Sequence, residues 1–435
     1  MRSVFWFRRD LRLEDNKALF EAFKNSDEVI PIFIFNKSLI KELNTLNKKL
    51  GLIVDALKHI SKEIPIYTFY EDDDNVFEFL IEKFKPDAVY TAKAFSWQGE
   101  ERDKRIEVLL DRKSIKFVEV FDNYLVDFRD IPYTKVFTPF YKKWRSLIKE
   151  EKVSLDKDII RGKALNLDLD TIEKLIFKYK DLDLKHSHWS YEDCIKRLNS
   201  FRFEEYEEKR NYPFLDGSSR LSPCIRFGVL SIRDIYQKAK DKSEAFVSEL
   251  SWREFWYHIK HYFYDFKNLE FQEKRRGIAW ENDDKKIEKF MKGETGYPII
   301  DAGIRQLIEE NWVHNRIRMV LASFLVKDLL VDWRIGERFF KEYLIDYDEV
   351  VNVGNWQWSS SVGPDPKPLR IFNPILQSQK FDKDCIYIKK YLKELKDEDC
   401  EKLHDPIVYK LKYHSPVVNH YEASKKAKEL FSKKH

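Results

Sequence analysis

Disulfides, bound metals and membrane spans have little basis in this sequence. Its 435 residues include only four cysteines, and no two of them have the spacing of metal ligands. They are Cys194, Cys224, Cys385 and Cys400. So low a count argues against a disulfide framework and against a zinc or iron–sulfur site, and it favours a reducing compartment. The first ten residues are charged, unlike a signal peptide, and no apolar run approaches the length of a membrane span. We therefore expect a cytoplasmic protein that holds no metal and crosses no membrane.

An excess of one charge is also absent. Lys and Arg number 79 against 75 Asp and Glu, which gives a formal net charge of +4. A nucleic-acid interface would then have to be a local basic patch. Hydrophobic residues make up 43% and charged residues 35%, which is typical of a globular chain, and the length indicates two or three domains. Aromatic residues are abundant, at 15% with 11 tryptophans.

The first part of the chain alternates between two kinds of segment. Longer charged stretches with helical period separate five short apolar runs that are rich in strand-forming residues. The runs are SVFWF (3–7), VIPIFIF (29–35), IPIYTF (64–69), DAVYTA (87–92) and KFVEV (116–120). This alternation predicts a doubly wound parallel sheet, an α/β domain over residues 1–125. The domain lacks the G-x-G-x-x-G pattern, so nothing marks it as a dinucleotide binder of the usual kind.

The rest of the sequence changes character twice. Residues 126–186 are charged and irregular, and we interpret them as an interdomain connection. From 187 to 435, apolar residues recur at helical spacing, which predicts a nearly all-α domain. One stretch of it, VVNVGNWQWSSS (350–361), sets Trp356 and Trp358 among small residues that form regular structure poorly, and we interpret it as a loop.

Three patterns in the second half can carry chemistry, and each has an ordinary alternative. Serines around Arg220 in DGSSRLSPCIRFGVLS (216–231) could hold an anion, or could simply cap a helix. Arg318 and Asp346 could pair in a binding site, or form a structural salt bridge. The tryptophans of ELSWREFWYHI (249–259) form a helical stripe, which alone favours core packing.

Taken together, these segments resemble the DNA photolyase/cryptochrome flavoproteins over nearly the whole chain. The resemblance is carried by long stretches in one order. They are FWFRRDLRLEDN (5–16), SSRLSPCIRFGVLS (218–231), ELSWREFW (249–256), ETGYPIIDAGIRQL (294–307), WVHNRIRMVLASFLVKDLLVDWRIGERFF (312–340) and VNVGNWQWSSSVGPDPKPLRIFNP (351–374).

The resemblance implies that the helical domain holds FAD. The residues implied at the pyrophosphate are Tyr206, Ser218, Ser219, Arg220, Leu221 and Ser222. Those implied around the sugar and the isoalloxazine ring are Arg253, Arg318, Asp346, Asp348 and Asn352, the last near flavin N5. The family often has threonine where this chain has Ser218, and serine keeps the hydroxyl.

The resemblance also assigns roles to the tryptophans. Trp356, Trp333 and Trp280 resemble the inner, middle and outer members of the family's electron relay, which reduces photoexcited flavin. Trp358 resembles the tryptophan that walls the substrate pocket, with Trp252 opposite.

The predicted substrate is a cyclobutane pyrimidine dimer in DNA. Repair of (6-4) photoproducts uses paired histidines in the region that here reads HNRIRM, so Asn315 and Met319 indicate the microbial class I dimer photolyases. The predicted pocket consists of Glu249, Trp252, Asn315, Met319 and Trp358. The implied reaction is electron transfer from excited reduced FAD to a flipped-out dimer, with Glu249 stabilising the radical anion. Candidates for contacts with DNA phosphates are Arg210, Arg316 and QEKRRG (272–277). The segment QEKRRG could equally be a solvated charged surface.

An antenna chromophore is expected in the first domain. Its identity could be folate, deazaflavin or a second flavin such as FMN. Glu101 is a candidate ligand, but its segment also fits a solvated turn. We expect a monomer. Two other functions stay open: a blue-light receptor, and a flavin electron-transfer protein without a DNA substrate.

Overall fold

The computed structural model describes residues 1–41, 46–167, 189–365 and 369–432. The chain divides into two compact units. The first comprises Met1–Asp130, Trp144–Phe201 and Arg220–Val247, and the second comprises Ile131–Lys143, Arg202–Ser219 and Ser248–His435. Residues 168–186 of the predicted connection lie outside the described residues, and the boundaries predicted at 125 and 186 stay a prediction.

The first unit contains the predicted parallel sheet. Its strands are β1 (Arg2–Phe7), β2 (Glu28–Ile34), β3 (Tyr67–Phe69), β4 (Ala88–Ala92) and β5 (Lys116–Val120). They lie in the order β3-β2-β1-β4-β5, and every neighbouring pair is parallel. The order reverses between β1 and β4, which is the arrangement of a doubly wound sheet. All five strands coincide with the predicted apolar runs, because strands covered on both faces are continuously apolar.

Helices make up the rest of the described regular structure. They are Lys17–Asn25, Lys37–Lys41, Leu46–Ile60, Asp73–Phe84, Trp97–Asp111, Phe137–Leu147, Lys157–Lys163, Tyr191–Ser200, Tyr206–Lys209, Ser222–Arg226, Ile232–Ala239, Glu244–Tyr262, Asp284–Lys292, Pro298–Glu310, Asn315–Ser323, Trp333–Tyr343, Glu349–Ser359, Pro374–Phe381, Ile386–Tyr391, Cys400–His404 and His420–Ser432. Short 3-10 turns lie at Phe128–Asp130, Phe203–Glu205, Tyr264–Lys267, Glu273–Arg275 and Lys393–Leu395, and a π-helical turn lies at Phe324–Asp328. All regular structure in the described part of the second unit is helical, as predicted. No helix among the described residues is long and apolar enough to cross a membrane.

A cluster of four buried charges ties together distant parts of the first unit. Asp122 accepts from Arg12 Nη2 and from Arg233 Nη2, both at 2.6 Å. Arg233 Nε also donates to Asp15 at 2.6 Å. All four side chains are at most 5% exposed, so each charge depends on the others for compensation.

One expectation about the cysteines is wrong. Cys194 and Cys224 form a disulfide, with their Cα atoms 5.8 Å apart, and both are fully buried in the first unit. Cys385 and Cys400 are free. The pair is 30 residues apart in sequence, a spacing that carries no signal, so only the fold brings the two sulfurs together.

The interpretation of residues 350–361 as a loop is also wrong. Residues Glu349–Ser359 form a helix, and Asp348 caps it by accepting from the backbone N–H of Val351 at 3.2 Å. Gly354 is required by packing, since a Cβ there would lie 2.3 Å from the Trp256 ring. Tertiary packing has therefore outweighed the poor helix propensity of the segment.

Candidate functional site

The two predicted walls of the substrate pocket meet in the second unit. Trp252 lies on the helix Glu244–Tyr262, and Trp358 lies near the end of the helix Glu349–Ser359. Their ring centroids are 5.0 Å apart at an interplanar angle of 74°, an edge-to-face contact. Both indoles are half-buried. A flat aromatic substrate could therefore stack on surface that is already held in place.

A ring that the sequence analysis did not single out supports Trp252. Phe137 stacks on Trp252 with centroids 3.7 Å apart and planes 5° from parallel. One turn later, the buried Phe140 contacts Phe255 at 5.2 Å, so two helices hold the stack. The aromatic spacing of IPYTKVFTPFYKKW is the signal for this contact, although the stretch falls within the predicted irregular connection.

Glu249 is paired within the pocket. Its carboxylate lies 2.7 Å from Arg210 Nη2, and the two side chains keep 31% and 29% of their exposure. Burial raises the pKa of Glu249, and the positive charge of Arg210 offsets only part of that rise. Glu249 lies three residues before Trp252, so both side chains share one face of their helix. The carboxyl group is thus held at the edge of the surface formed by the indoles.

The predicted DNA contacts lie beside this ion pair. Arg316 Nη2 donates to Asn211 at 2.7 Å, and its guanidinium lies 4.4 Å from the centre of the Phe381 ring. Its Nε is buried and has no hydrogen-bond partner among the described residues. Burial, and then the nearby charge of Arg210, lower the pKa of Arg316. On the same helix, Asn315 is exposed and Met319 half-buried, at the i, i+4 spacing expected of them.

The predicted ion pair between Arg318 and Asp346 is present, and its place in a flavin site stays a prediction. Arg318 Nη2 donates to Asp346 Oδ2 at 2.8 Å, and Arg318 Nε donates to the carbonyl of Val313 at 2.8 Å. The second carboxylate oxygen of Asp346 is buried without a partner among the described residues. A buried acceptor left in this way is costly unless a bound group donates to it. A hydroxyl of a cofactor such as FAD would fill this position, so the residues present fit the predicted group.

Two neighbouring side chains are held in fixed orientations. Tyr257 donates its hydroxyl to Asp348, at 2.8 Å to the nearer oxygen. Asn352 donates its amide to Glu337 Oε1 at 3.0 Å, and Tyr347 donates to the same oxygen at 2.9 Å. This arrangement presents the amide oxygen of Asn352 as an acceptor. The sequence analysis missed Glu337, although it stands four residues after Trp333 in the segment VDWRIGERF.

The predicted pyrophosphate residues belong to two short segments of the chain. Tyr206, Ser218 and Ser219 belong to the second unit, whereas Arg220, Leu221 and Ser222 belong to the first. Arg220 has a positive φ of 51°, and Ser222 begins a short helix with Pro223 in its first turn. Leu221 is fully buried, so its backbone is the part that could meet a ligand. Arg253 is half-buried on the helix Glu244–Tyr262.

The three tryptophans predicted to form the relay differ in solvent exposure. Trp356 and Trp333 are 2% and 1% exposed, whereas Trp280 is only partly buried. The backbone N–H of Glu281 donates to Leu330 at 2.8 Å, and that of Asp332 donates to the side chain of Asn282 at 2.8 Å. These bonds hold the residue after Trp280 against the turn that precedes Trp333.

The helix of Trp333 also packs directly on Trp356. Gly336 lies on this helix, and a Cβ there would lie 2.1 Å from Trp356 Cη2. We expect Gly336→Ala to lower the free energy of unfolding by about 1–3 kcal/mol, because the ring has to move in a filled core. The matched control is Gly162→Ala on the helix Lys157–Lys163, where nothing lies within 4 Å of the added Cβ. Thermal unfolding of both variants checks this, and equal melting temperatures would contradict the packing argument.

The antenna candidate, Glu101, lies on a helix of the first unit. Glu101 is exposed on the helix Trp97–Asp111 and lines a surface groove with Asp74, Lys104 and Arg105. Its role as an antenna ligand stays a prediction. Among the described residues, no group of three or more His, Cys, Asp or Glu side chains could hold a metal ion.

Known proteins resemble this chain in sequence and in structure. The family model described as DNA photolyase matches residues 3–156, and the one described as the FAD binding domain of DNA photolyase matches residues 246–433. A deoxyribodipyrimidine photo-lyase of Alkalihalophilus pseudofirmus is 35% identical, over 99% of this chain and 97% of its own. Another, from Synechococcus, is 31% identical over 99% and 96%. The crystal structure of an archaeal photolyase from Sulfolobus tokodaii with two FAD molecules has a TM-score of 0.87 and 31% identity, covering 99% of this chain and all of that one.

Proposed function

This chain belongs to the DNA photolyase family, and from that premise we propose which of its residues bind the flavin, the lesion and the DNA backbone. The protein is an enzyme, a lyase that uses light to split cyclobutane pyrimidine dimers in DNA, and its cofactor is FAD. The observation that carries the assignment of the pocket is the contact between Trp252 and Trp358, with Glu249 at its edge.

FAD, when bound, would supply light-driven one-electron chemistry to the site. Arg318 and Asp346 would bind and orient it, since their ion pair leaves one buried carboxylate oxygen for a hydroxyl. Asn352 would meet the ring through its amide oxygen, which Glu337 holds in place.

The lesion would be held by the aromatic walls and by one carboxyl group. A pyrimidine dimer stacks poorly in a duplex and is therefore cheaper to extrude than a normal base pair. Trp252 and Trp358 would cover the extruded bases. Glu249 would hydrogen-bond their imide and carbonyl edge, where negative charge develops. Burial raises the pKa of Glu249 above its usual value, although the paired Arg210 opposes the rise. The remaining pocket positions are those of Asn315 and Met319.

The DNA backbone would be held by arginine. Arg316, half-buried with an Nε that lacks a partner among the described residues, would meet a phosphate beside the pocket. Arg210 would do the same once a phosphate competes with Glu249 for it. We expect the protein to act as a monomer. The second chromophore remains open among folate, deazaflavin and flavin, and the Sulfolobus relative with two FAD molecules makes a flavin one candidate.

The test is light-driven repair of an oligonucleotide with a single cyclobutane thymine dimer, compared with a dark sample. We expect Glu249→Gln to lower the repair yield per absorbed photon by about two- to tenfold, the worth of one hydrogen bond. FAD content and melting temperature should stay near those of the unmodified protein, because the substitution keeps the side-chain volume. The control is Glu208→Gln, an exposed carboxylate two residues from Arg210. An unchanged yield with a lower melting temperature would make Glu249 a structural residue instead.

A further inference from the structure

A second cavity lies in the same unit as the lesion pocket. It is an open groove of about 620 Å³, within the range of about 300–1,000 Å³ that bound small molecules occupy. Aromatic rings and long cationic side chains dominate its lining. The residues that matter here are Tyr133, Tyr262, Phe263, Lys135, Lys274 and Arg276.

The tyrosines of this groove are unusually open to solvent. Tyr133 is 53% exposed and Tyr262 is 43% exposed, and their ring centroids are 5.2 Å apart. Tyr262 is anchored, since its hydroxyl donates to the carbonyl of Ile131 at 3.1 Å. Adjacent, pre-positioned aromatic faces of this kind form a stacking surface at little cost in conformational entropy.

Positive charge surrounds these rings. Lys135 and Lys274 are exposed and form no ion pair among the described residues. The guanidinium of Arg276 lies 5.6 Å from the centre of the Phe263 ring, and its nearest carboxylate is the 86% exposed Glu273 at 3.7 Å, a weak partner. Asp365 also lines the groove, but it is paired with Arg370 at 2.5 Å. The groove therefore presents a net positive charge.

The groove lies close to the walls of the lesion pocket. Tyr133 stands four residues before Phe137, the ring stacked on Trp252. On the other side, the guanidinium of Arg370, the partner of Asp365, lies 5.6 Å from the centre of the Trp358 ring. A strand whose lesion occupied the pocket would thus reach the groove with its neighbouring nucleotides.

We propose that this groove binds the unpaired nucleotides that adjoin the lesion, with a base stacked on Tyr133 and Tyr262 and phosphates near Lys135, Lys274 and Arg276. The inference rests on the proposed function for the position of the lesion. Aromatic faces beside a line of cations are the combination with which proteins hold single-stranded nucleic acid without reading its sequence. The groove extends the binding site beyond the lesion and gives it a preference for flanking single strand.

The experiment compares two ligands with the same thymine dimer: a dinucleotide, and a single strand of about a dozen nucleotides, on the scale of known single-strand sites. We expect Tyr133→Ala to raise the Kd of the longer strand about fivefold or more, the low end of what one base–aromatic stack contributes. The Kd of the dinucleotide should not change. Lys274→Ala should flatten the dependence of the longer strand's Kd on salt concentration and again spare the dinucleotide.

Tyr264→Ala is the matched control, since Tyr264 is 51% exposed but does not line the groove. An unchanged Kd for the longer strand in Tyr133→Ala, an equal loss for both ligands, or an equal effect of Tyr264→Ala would overturn the proposal. Illumination of the unmodified protein with the dinucleotide tests the proposed function separately. If repair fails there, the function assigned to the lesion pocket fails, while the comparison of the two Kd values still decides the groove.

Discussion

Trp356→Phe is expected to lose most of the light-driven reduction of bound, oxidised FAD and to keep its repair activity once the flavin has been reduced chemically. A phenyl ring is far harder to oxidise than an indole, so the substitution removes the electron donor predicted to lie next to the flavin. In the proposed scheme repair depends on the lesion pocket at Trp252 and Trp358, so it should not need the predicted relay.

The solvent exposure of the other two tryptophans supports this direction of transfer. Trp333 donates its indole N–H to Glu270 at 3.2 Å. Glu270 is also paired at 2.8 Å with Arg334, whose guanidinium lies 4.7 Å from the centre of the Trp333 ring, so the carboxylate offsets a cation that already stands beside the indole. The solvent exposure of the side chain rises from the buried Trp333 to the partly exposed Trp280, where an external reductant can restore the electron.

Flavin absorbance under blue light with an external thiol measures photoreduction, and a repair assay after chemical reduction measures the second activity. Trp97→Phe serves as a control, because it removes an equally buried indole from the first unit. Poor repair by chemically reduced Trp356→Phe would show that this residue supports the lesion pocket or the flavin itself, and its place in the relay would have to be given up.

The largest effect on stability is expected from Asp122→Ala. Asp122 is fully buried and bridges Arg12 and Arg233, so the substitution leaves two buried guanidinium groups with Asp15 as the remaining carboxylate of the cluster. Removing one partner of a buried ion pair lowers the free energy of unfolding by about 3–5 kcal/mol. Chemical denaturation at neutral pH measures the loss. Asp27→Ala is the control, since Asp27 forms an ion pair at the surface with its side chain 83% exposed, and it should change stability by less than about 1 kcal/mol.

The same cluster should make the first unit sensitive to acid. Burial alone would raise the pKa of Asp122, but the charges of Arg12 and Arg233 outweigh it and the pKa lies below its usual value. A carboxyl group with a lowered pKa stabilises the fold above the unfolded-state pKa of about 3.9, and loses that contribution as the pH falls through the folded-state value. The difference in stability between the unmodified protein and Asp122→Ala should therefore shrink toward low pH. A difference that stayed constant down to acid unfolding would contradict this linkage.

Much of the fold was readable from the sequence because its signals are local. Strands β1, β2 and β4 are almost fully buried, and burial on both faces leaves continuous apolar runs that stand out from the charged helices between them. The pair Arg318–Asp346 was also predictable, since a buried arginine needs a carboxylate.

The remaining features depend on residues far apart in the chain. The disulfide between Cys194 and Cys224 leaves no trace in the spacing of the two cysteines. The helix Glu349–Ser359 has glycine and asparagine where local propensity favours a loop, and it forms because Asp348 caps it and the Trp256 ring fits over Gly354. The stack of Phe137 on Trp252 joins two segments more than a hundred residues apart, and a single sequence cannot show such a contact.

The π-helical turn at Phe324–Asp328 requires a fixed number of residues in this part of the chain. Such a turn contains one residue more than an α-helical turn, as the bond from the N–H of Leu329 to the carbonyl of Phe324 shows. The turn aims Lys327 at the end of the helix that carries Trp356 and Trp358, where Nζ donates to the carbonyl of Ser359 at 2.7 Å and to the hydroxyl of Ser361 at 2.9 Å. Deleting one residue there would rotate the following side chains by about 100° around the axis and turn the lysine away. We therefore expect the deletion of a single residue from this turn to release the end of the helix that carries Trp356 and Trp358, even when every other residue is kept.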